Sequence, residues 1–118
     1  NAAMLVNEGL PLYLIQRLGQ KFDLRSSTIG ILGMAFKRDV DDIRSSLSYK
    51  LRKLLSFQAE RVLCSDPYVN DDRLVSQDQV LDESDLVIIA TPHTCYKSIE
   101  FRQPLVDLWN LYGQGVRI

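Results

Sequence analysis

The chain has few of the residues that make redox or metal chemistry: two cysteines, one histidine and one tryptophan in 118 residues. Cys64 and Cys95 form neither a disulfide framework nor a C-x-x-C pair, which fits a reducing, cytoplasmic setting. A single His excludes His-rich metal sites, and no metal ligand set is read. An excess of charge is also missing, since 14 basic side chains face 15 acidic ones for a net charge of -1. A general nucleic-acid binder needs clustered Lys and Arg, so DNA and RNA are not expected partners. Long apolar runs are absent. The stretch Leu86-Val87-Ile88-Ile89-Ala90 falls far short of the ~18 residues of a membrane span, and no signal-peptide pattern is present, so no membrane partner is expected.

What remains is an ordinary globular composition, 46% hydrophobic and 25% charged, of a size that supports one core. The first residues, Ala2 to Val6, read as the inside of a helix, so the chain is expected to be a piece of a larger protein. Leu14, Ile15 and Leu18 mark an amphipathic helix over Pro11–Phe22 with Pro in its first turn. Thr28 to Met34 reads as a central strand buried on both faces. Asp41 or Asp42 is expected to cap a helix that carries Ile43, Leu47, Leu51, Leu54 and Leu55 inward. Further strands follow at Glu60–Asp66, Leu86–Ala90 and Pro104–Leu108, with Asn70–Arg73 left unassigned. Continuous apolar strands alternating with helical segments predict an open, mostly parallel α/β sheet with helices on both faces. Ligands in such sheets bind beyond the carboxyl ends of the strands.

The layout of strand, loop, helix and strand, ending at Asp66, imitates a dinucleotide-binding unit. Such a unit needs G-x-G-x-x-G so that the backbone can approach a pyrophosphate, whereas Gly30 and Gly33 are followed by Met34-Ala35-Phe36-Lys37. NAD binding by this unit alone is therefore not expected, and Asp66 beside Pro67 reads as a turn residue. Lys37, Arg38 and Arg44 could serve an anionic ligand at a helix N-terminus, or could simply offset Asp39, Asp41 and Asp42 on a solvated loop. His93 and Cys95 read as loop and packing residues. Trp109 could stack on a ring or lie in the core. No G-x-S-x-G elbow is present.

The run Gly33-Met34-Ala35-Phe36-Lys37-Arg38-Asp39-Val40-Asp41-Asp42-Ile43-Arg44-Ser45-Ser46 closely resembles the G-x-A-F-K-x-x-T-D-D-x-R-x-S signature in the C-terminal domain of the UDP-glucose/GDP-mannose (nucleotide-sugar) dehydrogenase family. The resemblance extends to Ser65-Asp66-Pro67-Tyr68-Val69, to the Asp85–Ala90 strand and to Val106-Asp107, and so covers nearly the whole chain. It implies a Rossmann-like domain at residues 25–118, preceded at residues 1–24 by the end of a long connecting helix that makes the family's dimer. Members oxidise the C6 alcohol of a nucleotide sugar to a carboxylate with two NAD, through a catalytic Cys in a G-G-x-C motif. That motif is missing here, so no catalytic residue is assigned and the piece is not expected to catalyse alone. By resemblance Phe36 and Lys37 contact a UDP- or GDP-linked sugar, and Arg44 reaches NAD bound mainly by another domain. The pathway implied is polysaccharide biosynthesis.

Three departures leave the sugar open: Val40 for Thr, Trp109 where an Arg is common, and Thr91-Pro92-His93 in place of T-E-W. A stand-alone nucleotide-sugar-binding or dimerisation module without catalysis is the alternative. An ordinary CoA- or dinucleotide-binding domain is a third reading.

Overall fold

A computed structural model describes residues 10–44 and 46–108. Four strands, β1 (Thr28–Leu32), β2 (Arg61–Ser65), β3 (Leu86–Ile89) and β4 (Leu105–Asp107), form one sheet in the order β2-β1-β3-β4. All three pairings are parallel, with Leu32 opposite Ser65 in β2 and Ile89 in β3. Parallel pairing requires crossovers, and three α-helices among the described residues flank these strands: α1 (Leu10–Lys21), α2 (Leu47–Leu55) and α3 (Gln77–Glu83).

Alternation along the strands assigns the faces. Ile29 and Ile31 of β1 and Leu86 and Ile88 of β3 pack with Leu14 and Leu18 of α1 and Leu47, Leu51 and Leu55 of α2. Leu32, Val87 and Ile89 point the other way and pack with Val80 of α3 and with Tyr96. Both faces of β1 and β3 are therefore apolar, the requirement of a doubly covered sheet. The expected open parallel sheet with helices on both faces is what the chain builds.

The helix after β1 starts later than expected. Ser46, not Asp41 or Asp42, is the N-cap, and its hydroxyl accepts the Ser48 N–H at 3.1 Å. Asp42 is already committed to Arg44, and Ile43 is exposed rather than in the core. Helix α3 had no counterpart among the expected elements because it is polar and seven residues long, with Val80 its buried side chain. Its signal lay in Ser76-Gln77-Asp78-Gln79, an S-x-x-Q capping pattern, and Ser76 Oγ does accept the Gln79 N–H. The Asn70–Arg73 stretch is pinned to α2 by Asp71, which accepts from the Tyr49 hydroxyl at 2.7 Å and pairs with Arg73 at 2.8 Å. A 3₁₀ turn at Thr94–Ser98 follows β3. Trp109 lies outside the described residues.

Helix α3 lies so close to β1 that a Cβ on Gly30 would collide with Ser84 Oγ and stand 2.6 Å from a Val80 methyl. Gly30→Ala should therefore lower stability by about 1–3 kcal/mol, the usual result of overpacking, measured by urea unfolding.

Candidate functional site at the ends of the parallel strands

The strand order reverses between β1 and β3, so the loops leaving their carboxyl ends diverge above a crevice, the usual ligand seat of this architecture. Here the crevice is filled from within. The Asp66 side chain, at the end of β2, is fully buried, and its Oδ2 accepts the N–H groups of Met34 at 2.7 Å and Ala35 at 3.0 Å. Those N–H groups belong to the turn after β1, where a dinucleotide fold presents its backbone to a pyrophosphate. Asp66 Oδ1 accepts the Tyr68 N–H at 2.7 Å. Asp66 is thus a four-donor anchor and not the simple turn residue expected beside Pro67.

The fourth donor is His93, whose Nε2 lies 2.7 Å from Asp66 Oδ2. Its Nδ1 accepts the backbone N–H of Asp39 at 2.8 Å, so the ring proton belongs on Nε2 and is donated to the carboxylate. His93 is fully buried, with the Tyr68 ring 4.7 Å and the Tyr96 ring 5.5 Å from its own. More than a packing residue, it joins the loops after β1, β2 and β3. Burial alone would raise the Asp66 pKa, yet the bonds from His93, Tyr68 and Met34 outweigh it and hold the carboxyl below its ordinary value.

The loop after β1 is fastened at several further points. Thr91 Oγ1 donates to the Ala35 carbonyl at 2.7 Å, and Ser46 Oγ donates to the Met34 carbonyl at 2.8 Å. Gly33 has φ +93°, and a Cβ there would stand 2.6 Å from the Thr91 carbonyl oxygen. Asp39 also has positive φ, +59°, and its carboxylate accepts the Thr94 N–H at 2.9 Å and hydroxyl at 2.6 Å. These bonds from Thr94 lower the Asp39 pKa.

On this frame Phe36 and Lys37 stand exposed, Phe36 by 51%. Arg44 is exposed too, its side chain by 88%, and forks onto Asp42 at 2.8 and 3.1 Å. That contact brings the Asp42 carboxyl down to about 2. For Arg44 the charge-offset reading of the loop therefore describes the geometry, while Phe36 and Lys37 share the loop's outer surface. Among the described residues no group of three or more His, Cys, Asp or Glu could hold a metal. Burial pushes the Cys64 thiol up to about 12 and raises Cys95 as well, which makes neither a ready nucleophile. A dinucleotide does not fit the β1 turn, because its pyrophosphate would meet the Asp66 carboxylate on the N–H groups it needs.

These features define a Rossmann-like domain whose pyrophosphate seat is occupied by its own side chain. The chain belongs to the UDP-glucose/GDP-mannose dehydrogenase family: residues 30–114 match its UDP binding domain. It is 32% identical over 100 residues to a UDP-N-acetyl-D-mannosamine dehydrogenase of Campylobacter jejuni, covering 75% of this chain and 25% of that protein. A Pyrococcus horikoshii protein of the same name aligns over 98% of this chain and 27% of its own length at 28% identity. The solved UDP-glucose dehydrogenase of the hyperthermophilic archaeon Pyrobaculum islandicum superposes with a TM-score of 0.77 at 35% identity, over 90% of this chain and 27% of that one. The chain thus spans about a quarter of the length of these relatives.

Asp66→Asn exchanges one accepting oxygen for a donor, so a buried N–H must lose its partner whichever way the amide turns. The variant should lose about 3 kcal/mol in urea unfolding at neutral pH. Because the folded-state pKa of Asp66 is depressed, its contribution is complete above the unfolded value of about 3.9 and disappears as pH falls through the folded value. The acid-side loss of stability should accordingly be shallower in the Asn variant than in the wild type.

Proposed function

We propose that this chain is the substrate-binding part of an NAD-dependent nucleotide-sugar 6-dehydrogenase, which oxidises the sugar C6 alcohol to a carboxylate by four electrons. The observation that carries the reading is the exposed Phe36-Lys37 pair on a loop fastened above the filled crevice, in a chain that belongs to a dehydrogenase family. With the inner anion seat taken by Asp66, a ligand phosphate is left to the outer surface of the loop. The Lys37 ammonium supplies the compensating charge there, and the Phe36 ring offers a face for a base or sugar.

Arg44 is assigned to the cofactor. Its guanidinium is held by an exposed partner, Asp42, which a phosphate can replace, and NAD itself would be bound mainly by another domain. Hydride acceptance is the chemistry that NAD supplies when bound. The catalytic thiol must likewise come from outside the described residues, since neither cysteine is activated. Relatives named for UDP-N-acetyl-D-mannosamine and for UDP-glucose both align, so both sugars are candidate substrates. Leu12 and Tyr13 stand exposed on α1, in keeping with a parent that dimerises through this helix. No helix among the described residues is long and apolar enough to cross a membrane, and a cytoplasmic role in making precursors for polysaccharides fits the two free cysteines.

The test is NADH production by the full-length protein carrying this chain, against a panel of UDP- and GDP-sugars. Two NADH per sugar with one preferred substrate supports the reading; well-folded protein that binds a nucleotide sugar without turnover points instead to a binding module. Lys37→Ala should weaken UDP binding by about 10–100-fold, as for loss of a charge-assisted contact, with Arg44→Ala close to wild type in the same titration. Unchanged affinity in Lys37→Ala would count against the assignment.

A further inference from the structure

Resting on the reading that Phe36 and Lys37 meet a nucleotide sugar, we propose that His93 is a positioning residue for that loop, acting through the backbone N–H of Asp39. Asp39 lies two residues beyond Lys37 and holds a left-handed backbone, φ +59°, a conformation uncommon outside glycine though less so for Asp, which surrounding bonds help to keep. Three bonds do so here: its N–H to His93 Nδ1, and the two bonds that its carboxylate receives from Thr94. Thr94 is exposed, whereas His93 is fully buried and is fixed at its other nitrogen by Asp66, whose carboxylate also holds Met34 and Ala35 at the root of the same loop. One ring therefore carries the rigidity of the sheet to both ends of the segment that displays Phe36 and Lys37. The direction in which Lys37 leaves the loop follows from the turn at Asp39.

The two ring nitrogens can be removed separately. In His93→Asn the amide oxygen falls near the position of Nδ1 and can still accept from Asp39, while the bond to Asp66 is lost. In His93→Gln the amide nitrogen falls near Nε2 and can still donate to Asp66, while Asp39 loses its acceptor. If His93 positions the loop, affinity and stability respond in opposite orders. In the full-length protein, calorimetric titration with UDP should show about tenfold weaker binding for His93→Gln and near-wild-type binding for His93→Asn. Thermal unfolding should show the larger loss for His93→Asn, which takes a donor from a buried carboxylate. Amide hydrogen exchange at Asp39 should quicken in His93→Gln with or without UDP.

A role in packing alone makes affinity fall in step with stability, and that result overturns the proposal. Wild-type protein that binds no UDP removes the binding reading instead, and exchange at Asp39 then decides by itself whether His93 holds the loop. Thr94→Val, at an exposed position, serves if a His93 variant fails to fold. It should speed exchange at Asp39 and weaken UDP binding with little change in melting temperature, and no change in either exchange or binding would reject the positioning role.

Discussion

A carboxylate taken out of water must be given donors or lose its charge, and Asp66 is given four. The donors come from three places along the chain: the turn after β1, the residue after Pro67, and the loop after β3. One side chain thereby closes the carboxyl ends of three adjacent strands on each other. The same bonds remove the backbone N–H groups that would otherwise attract a phosphate, and the negative charge set among them repels one. The group that ties the strand ends together is also the one that keeps a phosphate off that turn.

Much of this architecture could be read from residues alone. β-branched and apolar runs located all four strands, since strands buried on both faces cannot include polar residues without donors to meet them, and the steps Leu47, Leu51, Leu55 marked α2. Helix α3 escaped because its hydrophobic stripe reduces to Val80, and a short polar helix is recognised by its cap rather than by its periodicity. The start of α2 was misplaced for a related reason. Asp41 and Asp42 stand side by side as candidate caps, and only the folded loop shows that Asp42 is spent on Arg44 and that the helix starts later, at Ser46. The exposed candidates Phe36, Lys37 and Arg44 were legible from the family signature. The network beneath them was not, because the bonds by which Asp66 and His93 join different loops span 27 to 54 residues of sequence and follow from strand order, which no local pattern encodes.

The filled crevice also explains how one sheet topology can serve a different ligand without changing its strands. In a dinucleotide fold, glycines allow the pyrophosphate to rest directly on the first turn, and the acidic residue after the second strand faces the ribose. In this chain the acidic residue turns inward and takes the phosphate's position, so the turn and the acidic residue satisfy each other. Any anion must then be met farther out, by side chains on the loop. Long side chains are poorly ordered unless their backbone is fixed, and the bonds of Ala35 to Thr91 and of Asp39 to His93, both just past β3, provide that order.

Two kinds of contact to a carboxylate result, one from a neutral ring N–H and one from a guanidinium, and their difference has a physical basis. Asp66 and His93 are buried, and the His93 Nε2–H is one of the four donors that hold the carboxylate's charge away from water, so parting them is costly. Arg44 and Asp42 meet at the surface, where water can replace either partner and the pair adds little to stability. A guanidinium held in this way stays ordered and charged, yet is released at small cost when a stronger anion arrives. The two contacts bear on one loop from opposite sides: the buried one, made by residues after β2 and β3, shapes its backbone, and the exposed one, within the loop itself, lies on its outer surface.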